Sequence, residues 1–254
     1  MRRTPVGRNN LAQRGRRNTE KNQLRPDRQQ QWCIGQINAR YLAAMEDVLA
    51  IYKLPFDPLR PVICLDEMPV QLLGEMVAPL PMKAGKPERI DYEYVRQGVA
   101  SVFIAFEPLT GKRICEVKRR RTKSDYCDFI ESIAAAYPTA ETIVLVQDNL
   151  NTHSASSFYE NRQPAAAFEL MRQFEFHFTP RKGSWLNMAE LELSALSRQC
   201  LRRRRIESIE RLESELNAVV KERNEKQIKV SWQFTKEHAR EKLKRHYEKV
   251  MSKN

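Results

Sequence analysis

Two stretches decide the fold class of this chain: residues 61–71, PVICLDEMPVQ, and residues 141–153, ETIVLVQDNLNTH. Each begins with an apolar, largely β-branched run typical of a buried strand, and each run ends at an aspartate, Asp66 or Asp148. An apolar run without alternation indicates a strand covered on both faces. The sequence therefore predicts a sheet with helices on both sides and an aspartate at the end of each of these strands.

The other segments complete an α/β pattern. Turn residues such as PFDP and PLTGK separate segments with helical spacing from further apolar runs. We expect strands near 61–73, 96–107, 113–121, 141–148 and 174–180, and helices near 39–52, 124–137, within 149–173, and at 184–201, 206–224 and 235–251. The order α-β-β-β-α-β-α-β-α-α-α predicts a mixed five-stranded sheet flanked by helices.

Charge points to a polyanionic partner. The chain has 44 basic and 32 acidic side chains, a net charge of +12, which favours binding to nucleic acid. Residues 1–31 carry nine basic and two acidic residues with little to bury, so we predict a disordered basic arm. We assign residues 32–205 to one domain and residues 206–254 to a helical extension packed on it.

Neither a membrane span nor a secretory signal is expected. The sequence has no apolar run of about 18 residues, and its start lacks the apolar core of a signal peptide. The five cysteines are scattered and form no CxxC pair, which favours a reducing compartment. We therefore expect a cytoplasmic protein.

A third acidic residue, Glu190, lies in TPRKGSWLNMAELELS, in the first turns of a predicted amphipathic helix. Two aspartates at strand ends and one glutamate on a helix can converge, and such oxygen ligands suit Mg²⁺ or Mn²⁺. On so basic a chain, the natural substrate of this site is a phosphodiester. Two alternatives stay open: Glu67, beside Asp66 but on the opposite strand face, and Glu192, well round the helix from Glu190.

Polar and basic residues near these acids are candidates for supporting roles. Asn149, Asn151, His153 and Asn187 are expected to orient the carboxylates or DNA. Two basic stretches, KRRRTK and RK, are expected to bind phosphates without reading sequence, although a solvated charged face is the alternative. The DNA-binding candidates are Arg119, Arg120, Arg121, Lys123, Arg181 and Lys182.

The blocks VICLDEMPVQLL, LVQDNLNTH and TPRKGSWLNMAELELSALSRQCL together resemble the transposases of the insertion sequence six-thirty type, bacterial relatives of the mariner transposases. The resemblance covers roughly residues 32–250. It implies a ribonuclease-H-like fold with a DDE triad formed by Asp66, Asp148 and Glu190, which would hold two Mg²⁺ ions, with Mn²⁺ as a substitute. It also implies cleavage of double-stranded DNA at transposon ends, strand transfer into target DNA, a homodimer on DNA and a place in the bacterial nucleoid.

The resemblance fails at the N-terminus. Full transposases of this type begin with helix-turn-helix modules, whereas only the basic arm and one helix precede Asp66 here. We therefore expect a catalytic domain without that region, and a separate DNA-recognition chain is one open source of specificity. Two other functions stay open: a catalytically idle DNA-binding or scaffold relic of a transposase, and a nuclease of the same fold acting on RNA or branched DNA.

Overall fold

A computed structural model describes residues 37–202 and 204–252, so the predicted basic arm at residues 1–31 lies outside the described residues. None of the described helices is both long enough and apolar enough to cross a membrane. In chain order the helices and strands are α1 (Ala39–Ile51), β1 (Val62–Glu75), β2 (Tyr94–Glu107), β3 (Lys112–Lys118), α2 (Lys123–Ala136), β4 (Ile143–Gln147), α3 (Ala155–Asn161), α4 (Pro164–Arg172), β5 (Phe174–Phe178), α5 (Met188–Leu196), α6 (Ile209–Glu225), α7 (Lys236–Lys242) and α8 (Lys244–Met251).

The five strands form one mixed sheet in the order β3-β2-β1-β4-β5. Strands β1, β2 and β3 pair antiparallel as successive hairpins, whereas β4 lies parallel to β1 and β5 lies parallel to β4. Helix α2 connects the two halves of the sheet. The predicted mixed five-stranded sheet is therefore confirmed, with β1 and β4 at its centre.

Helices cover both faces of the sheet, and this explains the continuous apolar runs. One face, which includes Val62 and Cys64 of β1, packs against α1, α5 and α6. The other face, which includes Ile63 and Leu65, packs against α2, α3 and α4. Since burying one large apolar side chain contributes roughly 1.5–3 kcal/mol, the two cores together fix which face each residue of β1 presents.

Strand β1 agrees with the predicted span 61–73 to within two residues at each end, but Asp66 lies well inside it, so the expectation that Asp66 marks the end of the strand was wrong. Parallel pairing with β4 covers only Val62 to Cys64. Beyond that point β1 continues with β2 to Glu75 as a two-stranded ribbon. Asp66 therefore lies where the parallel part of the sheet ends, although the strand itself goes on.

Helix boundaries also differ from the prediction. Helix α2 begins at Lys123, one residue before the predicted start at 124, because Thr122 caps it and forms a reciprocal capping box with Asp125. The helix predicted at 184–201 is α-helical only over Met188–Leu196, between a 3₁₀ turn at Ser184–Leu186 and a π-helical turn at Ser197–Leu201. The segment 149–173 contains two short helices, α3 and α4. The last predicted helix is divided at Leu243 into α7 and α8.

Candidate active site

The two aspartates lie side by side on one face of the sheet. Cys64 of β1 is paired with Val146 of the parallel strand β4. Asp66 and Asp148 each follow that pair by two residues, and side chains two residues apart along a strand point to the same face. Both therefore project from the face covered by α5, at the carboxyl end of the parallel strands.

Glu190 completes the acidic group. It lies in the first turn of α5, whose buried residues pack on the same face as Cys64 and Val146. Burial raises the pKa of Asp66 to about 7, and the negative charges of Asp148, Glu67 and Glu190 add to that rise, against the lowering effect of the hydrogen bond from the Glu67 amide. Asp66 is thus close enough to Asp148 and to Glu190 for both charges to repel its own, which is the condition that a bound cation relieves.

Buried hydrogen bonds fasten the start of α5 beside Asp66. The Asn187 side chain caps the helix by accepting a hydrogen bond from the Ala189 amide, and it donates one to the carbonyl of Leu65 at 2.7 Å. The Tyr52 hydroxyl donates to the carbonyl of Leu186, also at 2.7 Å. The first turn of α5 is therefore tied both to β1 and to α1, which limits where Glu190 can lie.

His153 links Asp148 to the opposite face of the sheet. Its Nδ1 lies 2.7 Å from Oδ1 of Asp148, and its Nε2 lies 2.6 Å from Oε1 of Glu67. Burial disfavours the charged ring, but the hydrogen bonds and charges of Asp148 and Glu67 outweigh burial and raise the pKa of His153 to about 9. The ring also packs on Tyr126, with 4.7 Å between ring centroids. His153 therefore holds Asp148 in one orientation.

Glu67, Asp148 and His153 form a second group that could hold a metal ion, since their donor atoms lie within 4.8 Å of one another. Both nitrogens of His153 are already engaged by carboxylates, and an imidazole must be neutral to bind a metal. With a pKa of about 9 the ring is charged at neutral pH. We therefore take this group as a support for Asp148, and the face with Asp66 and Glu190 as the better metal site.

Glu192, the competing acid on α5, is fully engaged elsewhere. Its carboxylate receives hydrogen bonds from the guanidinium groups of Arg113 on β3 and Arg223 on α6, at 2.6 and 3.0 Å. The side chain is 3% exposed. A carboxylate neutralised by two buried arginines is not available to a metal ion, so the structure favours Glu190.

The asparagines lie near the acids but contact main-chain groups. Asn149 donates to the carbonyl of Thr179 at 2.6 Å and so links the loop after β4 to the end of β5. Asn151 is exposed on the same loop. Asn187 is fully buried at the start of α5. Of the four polar residues predicted to support the site, His153 is the one with a described contact to an acidic residue of the triad.

The basic candidates occupy two separate surfaces. Arg119, Arg120 and Arg121 are exposed in the link between β3 and α2, which Lys123 follows at the start of α2. Lys123 is paired with Glu160 at 2.7 Å, and Arg119 lies 4.0 Å from Glu210. The second surface is formed by Arg181 and Lys182, which are exposed in the segment between β5 and α5, the helix that carries Glu190.

Sequence reasoning named Glu67 only as a competitor of Asp66, and it did not find its contact with His153. A signal was present, because Glu67 continues the face of β1 that carries Ile63 and Leu65. A carboxylate on an apolar strand face indicates a buried polar partner. The identity of that partner depended on the loop after β4, which no local pattern specifies.

Comparison with known proteins identifies the family of the chain and agrees with its fold. Residues 61–213 match the family described as DDE superfamily endonuclease. The catalytic domain of Mos1 mariner transposase is similar in structure, with a TM-score of 0.53 at 14% identity, over 88% of this chain and 96% of that chain. A pre-cleavage Mos1 transpososome gives a TM-score of 0.56 at 15% identity, over 94% and 70%. No curated protein matches the sequence.

Proposed function

Because the chain belongs to the DDE superfamily endonucleases, with the ribonuclease-H-like fold of a transposase catalytic domain, we propose that it cleaves DNA strands and transfers them in transposition. The observation that carries the proposal is the convergence of Asp66, Asp148 and Glu190 on one face of the sheet. We assign these three residues as the catalytic and metal-binding triad. The insertion sequence six-thirty subtype remains the expectation from the sequence blocks.

The chemistry of the acidic group fits hard divalent cations. Three carboxylates that repel one another offer oxygen ligands of the kind that Mg²⁺ and Mn²⁺ prefer. Solved complexes of the related Mos1 protein are described with Mg and with Mn. Two such ions, when bound, would neutralise phosphate charge and activate the attacking oxygen. The distinction between Mg²⁺ and Mn²⁺, and the number of ions, belong to the proposal.

The protein's own residues hold this site and its substrate. His153 fixes the carboxylate of Asp148, and Asn187 fixes the start of α5 and hence Glu190. Arg181 and Lys182, exposed just before α5, are suited to bind the phosphates beside the scissile bond and to set the position of the DNA. Related Mos1 structures are described as paired-end and strand-transfer complexes, which supports double-stranded DNA ends as the substrate of this chain.

We also propose that the chain works as a homodimer. The segment between β1 and β2 carries large apolar side chains exposed by about half or more, and contiguous exposed apolar surface marks interaction sites. These residues are Met76, Val77, Leu80, Met82, Ile90 and Tyr92. Light scattering after size exclusion should show a dimer that the pair Met82→Ser and Tyr92→Ser abolishes. Phe168→Ser, at a half-exposed residue on α4, is the matched control and should leave it intact.

The decisive experiment is nicking of supercoiled plasmid by the purified chain with Mg²⁺ or Mn²⁺, beside Asp148→Ala. We expect nicking that disappears in chelator and in the variant. Tight, salt-sensitive DNA binding without metal-dependent nicking would reject the catalytic proposal and favour the scaffold alternative. Faster cleavage of RNA or branched DNA than of plasmid would favour the nuclease alternative.

Strand transfer needs its own measurement, because a nuclease can nick without joining. The substrate is a labelled DNA carrying the ends of the element with a free 3′-hydroxyl, supplied with a plasmid target. Covalent joining of label to plasmid, lost in Asp148→Ala, is the expected result. Cleavage without joining would restrict the activity to that of an endonuclease.

A further inference from the structure

The helix that carries Glu190 is held on its far side by a buried charge cluster. Glu192 of α5, Arg113 of β3 and Arg223 of α6 have side chains that are 3%, 0% and 10% exposed. Nε of Arg113 donates to Glu192 at 2.6 Å, and Nη2 of Arg223 donates to both Glu192 oxygens at 3.1 and 3.0 Å. One carboxylate therefore ties together three elements that are distant in sequence.

The partners of Glu192 are themselves rigidly held. Arg113 also donates to the carbonyls of Gly111 and Ile228, and its main chain exchanges two hydrogen bonds of 2.9 Å with the side chain of Asn224, next to Arg223. Gly111 has φ +80°, and a Cβ there would lie 2.8 Å from the main chain of Gln227. The cluster is thus anchored to the β3 hairpin and to the end of α6, so it can act as a fixed point for α5.

Glu190 and Glu192 are two positions apart, which places their side chains about 200° apart around the helix axis. A rotation of α5 that moved Glu192 away from its arginines would therefore swing Glu190 away from the two aspartates. We infer that Glu192, clamped by Arg113 and Arg223, is a positioning residue that sets the rotation of α5 and the approach of Glu190 to Asp66 and Asp148. This inference rests on the proposed metal-binding function.

A purely stabilising role is the alternative, and it is a weak explanation of the cluster. Burying three charged groups removes them from water, and in many proteins their mutual attraction only offsets this desolvation penalty. Buried ion pairs are therefore poor evidence for stability. Their directional hydrogen bonds do specify geometry, and bidentate arginine contacts do so most strictly. The cluster also includes α6, so the C-terminal helical segment contributes to the geometry of the metal site.

The test compares Arg223→Gln with Arg162→Gln in the full chain. Arg162 is a matched control because its guanidinium also bonds two carboxylates, Asp128 and Glu131, on the other face of the sheet. Mn²⁺ binding is measured by electron paramagnetic resonance, at a temperature where circular dichroism shows both variants folded. Arg223→Gln should weaken Mn²⁺ binding 10- to 100-fold, as loss of residues behind metal ligands typically does. Arg162→Gln should stay within about twofold of the wild type on the same reasoning.

Unchanged Mn²⁺ affinity in Arg223→Gln would overturn the inference and leave the proposed function intact. Equal weakening in both variants would also overturn it, because affinity would then follow stability alone. A wild-type chain that binds no Mn²⁺ would overturn the proposed function, and the inference with it. If Arg223→Gln does not fold, Arg223→Lys replaces it: the charge stays but the two-pronged contact is lost, so several-fold weaker binding is expected and unchanged affinity would refute the positioning role.

Discussion

Asp66→Asn should make the metal-free protein more stable while abolishing its activity. Asp66 is half-buried and lies near three other negative charges, so that desolvation and these charges together raise the pKa of its carboxyl from 3.8 to about 7. Because the folded pKa is raised, the folded state resists ionisation. The resulting loss of free energy of unfolding is absent below the pKa of Asp66 in the unfolded chain. It grows as pH rises from about 4 to 7, and it is complete above the pKa in the folded protein.

The size of the effect follows from the shift. A rise of the pKa from 3.8 to about 7 sets an upper limit of about 4 kcal/mol at pH 8 and roughly 1–2 kcal/mol at pH 5. Asparagine resembles the neutral carboxyl group, and its oxygen can still accept the hydrogen bond from the Glu67 amide. We therefore expect Asp66→Asn to raise the free energy of unfolding by about 2–4 kcal/mol at pH 8.

Urea denaturation in chelator at pH 5 and pH 8 measures this difference. The control is Glu141→Gln, which removes one negative charge, as Asp66→Asn does, but at an exposed position. Mn²⁺ should offset the difference at pH 8, because only the wild type gains binding energy, about 2.7 kcal/mol at 100 times the dissociation constant and about 4.1 kcal/mol at 1,000 times. A variant that is no more stable than the wild type at pH 8, or whose gain is the same at both pH values, would refute the reasoning.

Three further predictions test other parts of the structure. Glu190→Gln should lower plasmid nicking at least about 100-fold with little change in melting temperature. Glu192→Gln should also lower nicking, because Glu192 positions α5, and it should in addition destabilise the fold by about 3–5 kcal/mol, because it leaves buried arginines unpaired. Calorimetry separates the two variants, and a destabilised Glu190→Gln beside a fully stable Glu192→Gln would exchange their roles. Gly111→Ala should lower the free energy of unfolding, measured by chemical denaturation, clearly more than Gly85→Ala does. Both glycines have positive φ, but a Cβ at Gly85 meets nothing within 4 Å. Equal losses in the two variants would show that crowding at Gly111 has no effect. Arg181→Ala should reduce the slope of log affinity for duplex DNA against log salt by about 0.9 in anisotropy titrations, and an unchanged slope would show that Arg181 does not contact phosphate.

Much of the fold could be predicted because it depends on local patterns. The apolar runs before Asp66 and Asp148 identify the two central strands, and strand parity then places both aspartates on one face. What could not be predicted was where the parallel pairing of β1 with β4 ends, because that depends on a strand distant in the sequence. Pro69 is tolerated because β1 has no described partner strand on its β4 side beyond Cys64, and a proline lacking a donor fits such an edge.

The candidate site also has a part that the sequence predicts and a part that it does not. Types and spacing of residues made Asp66, Asp148 and Glu190 candidates, and the resemblance of the surrounding blocks to known transposases assigned them as a triad. They did not suffice to separate Glu190 from Glu192, because both lie on one helix and differ only in what surrounds them. The arginines that engage Glu192 come from β3 and α6, and contacts between distant segments leave no periodic signal in a single sequence.

The ribbon formed by β1 and β2 beyond Asp66 affects which part of the protein unfolds locally first. Two strands alone are marginally stable in water, and this ribbon is braced by the bond from the Leu73 amide to Ile206 and by Arg205, which contacts Glu75 and the chain near Asp91. Its amides should exchange with deuterium far sooner than those of β4. We therefore expect the ribbon to open as a separate unit while the acidic centre keeps its geometry.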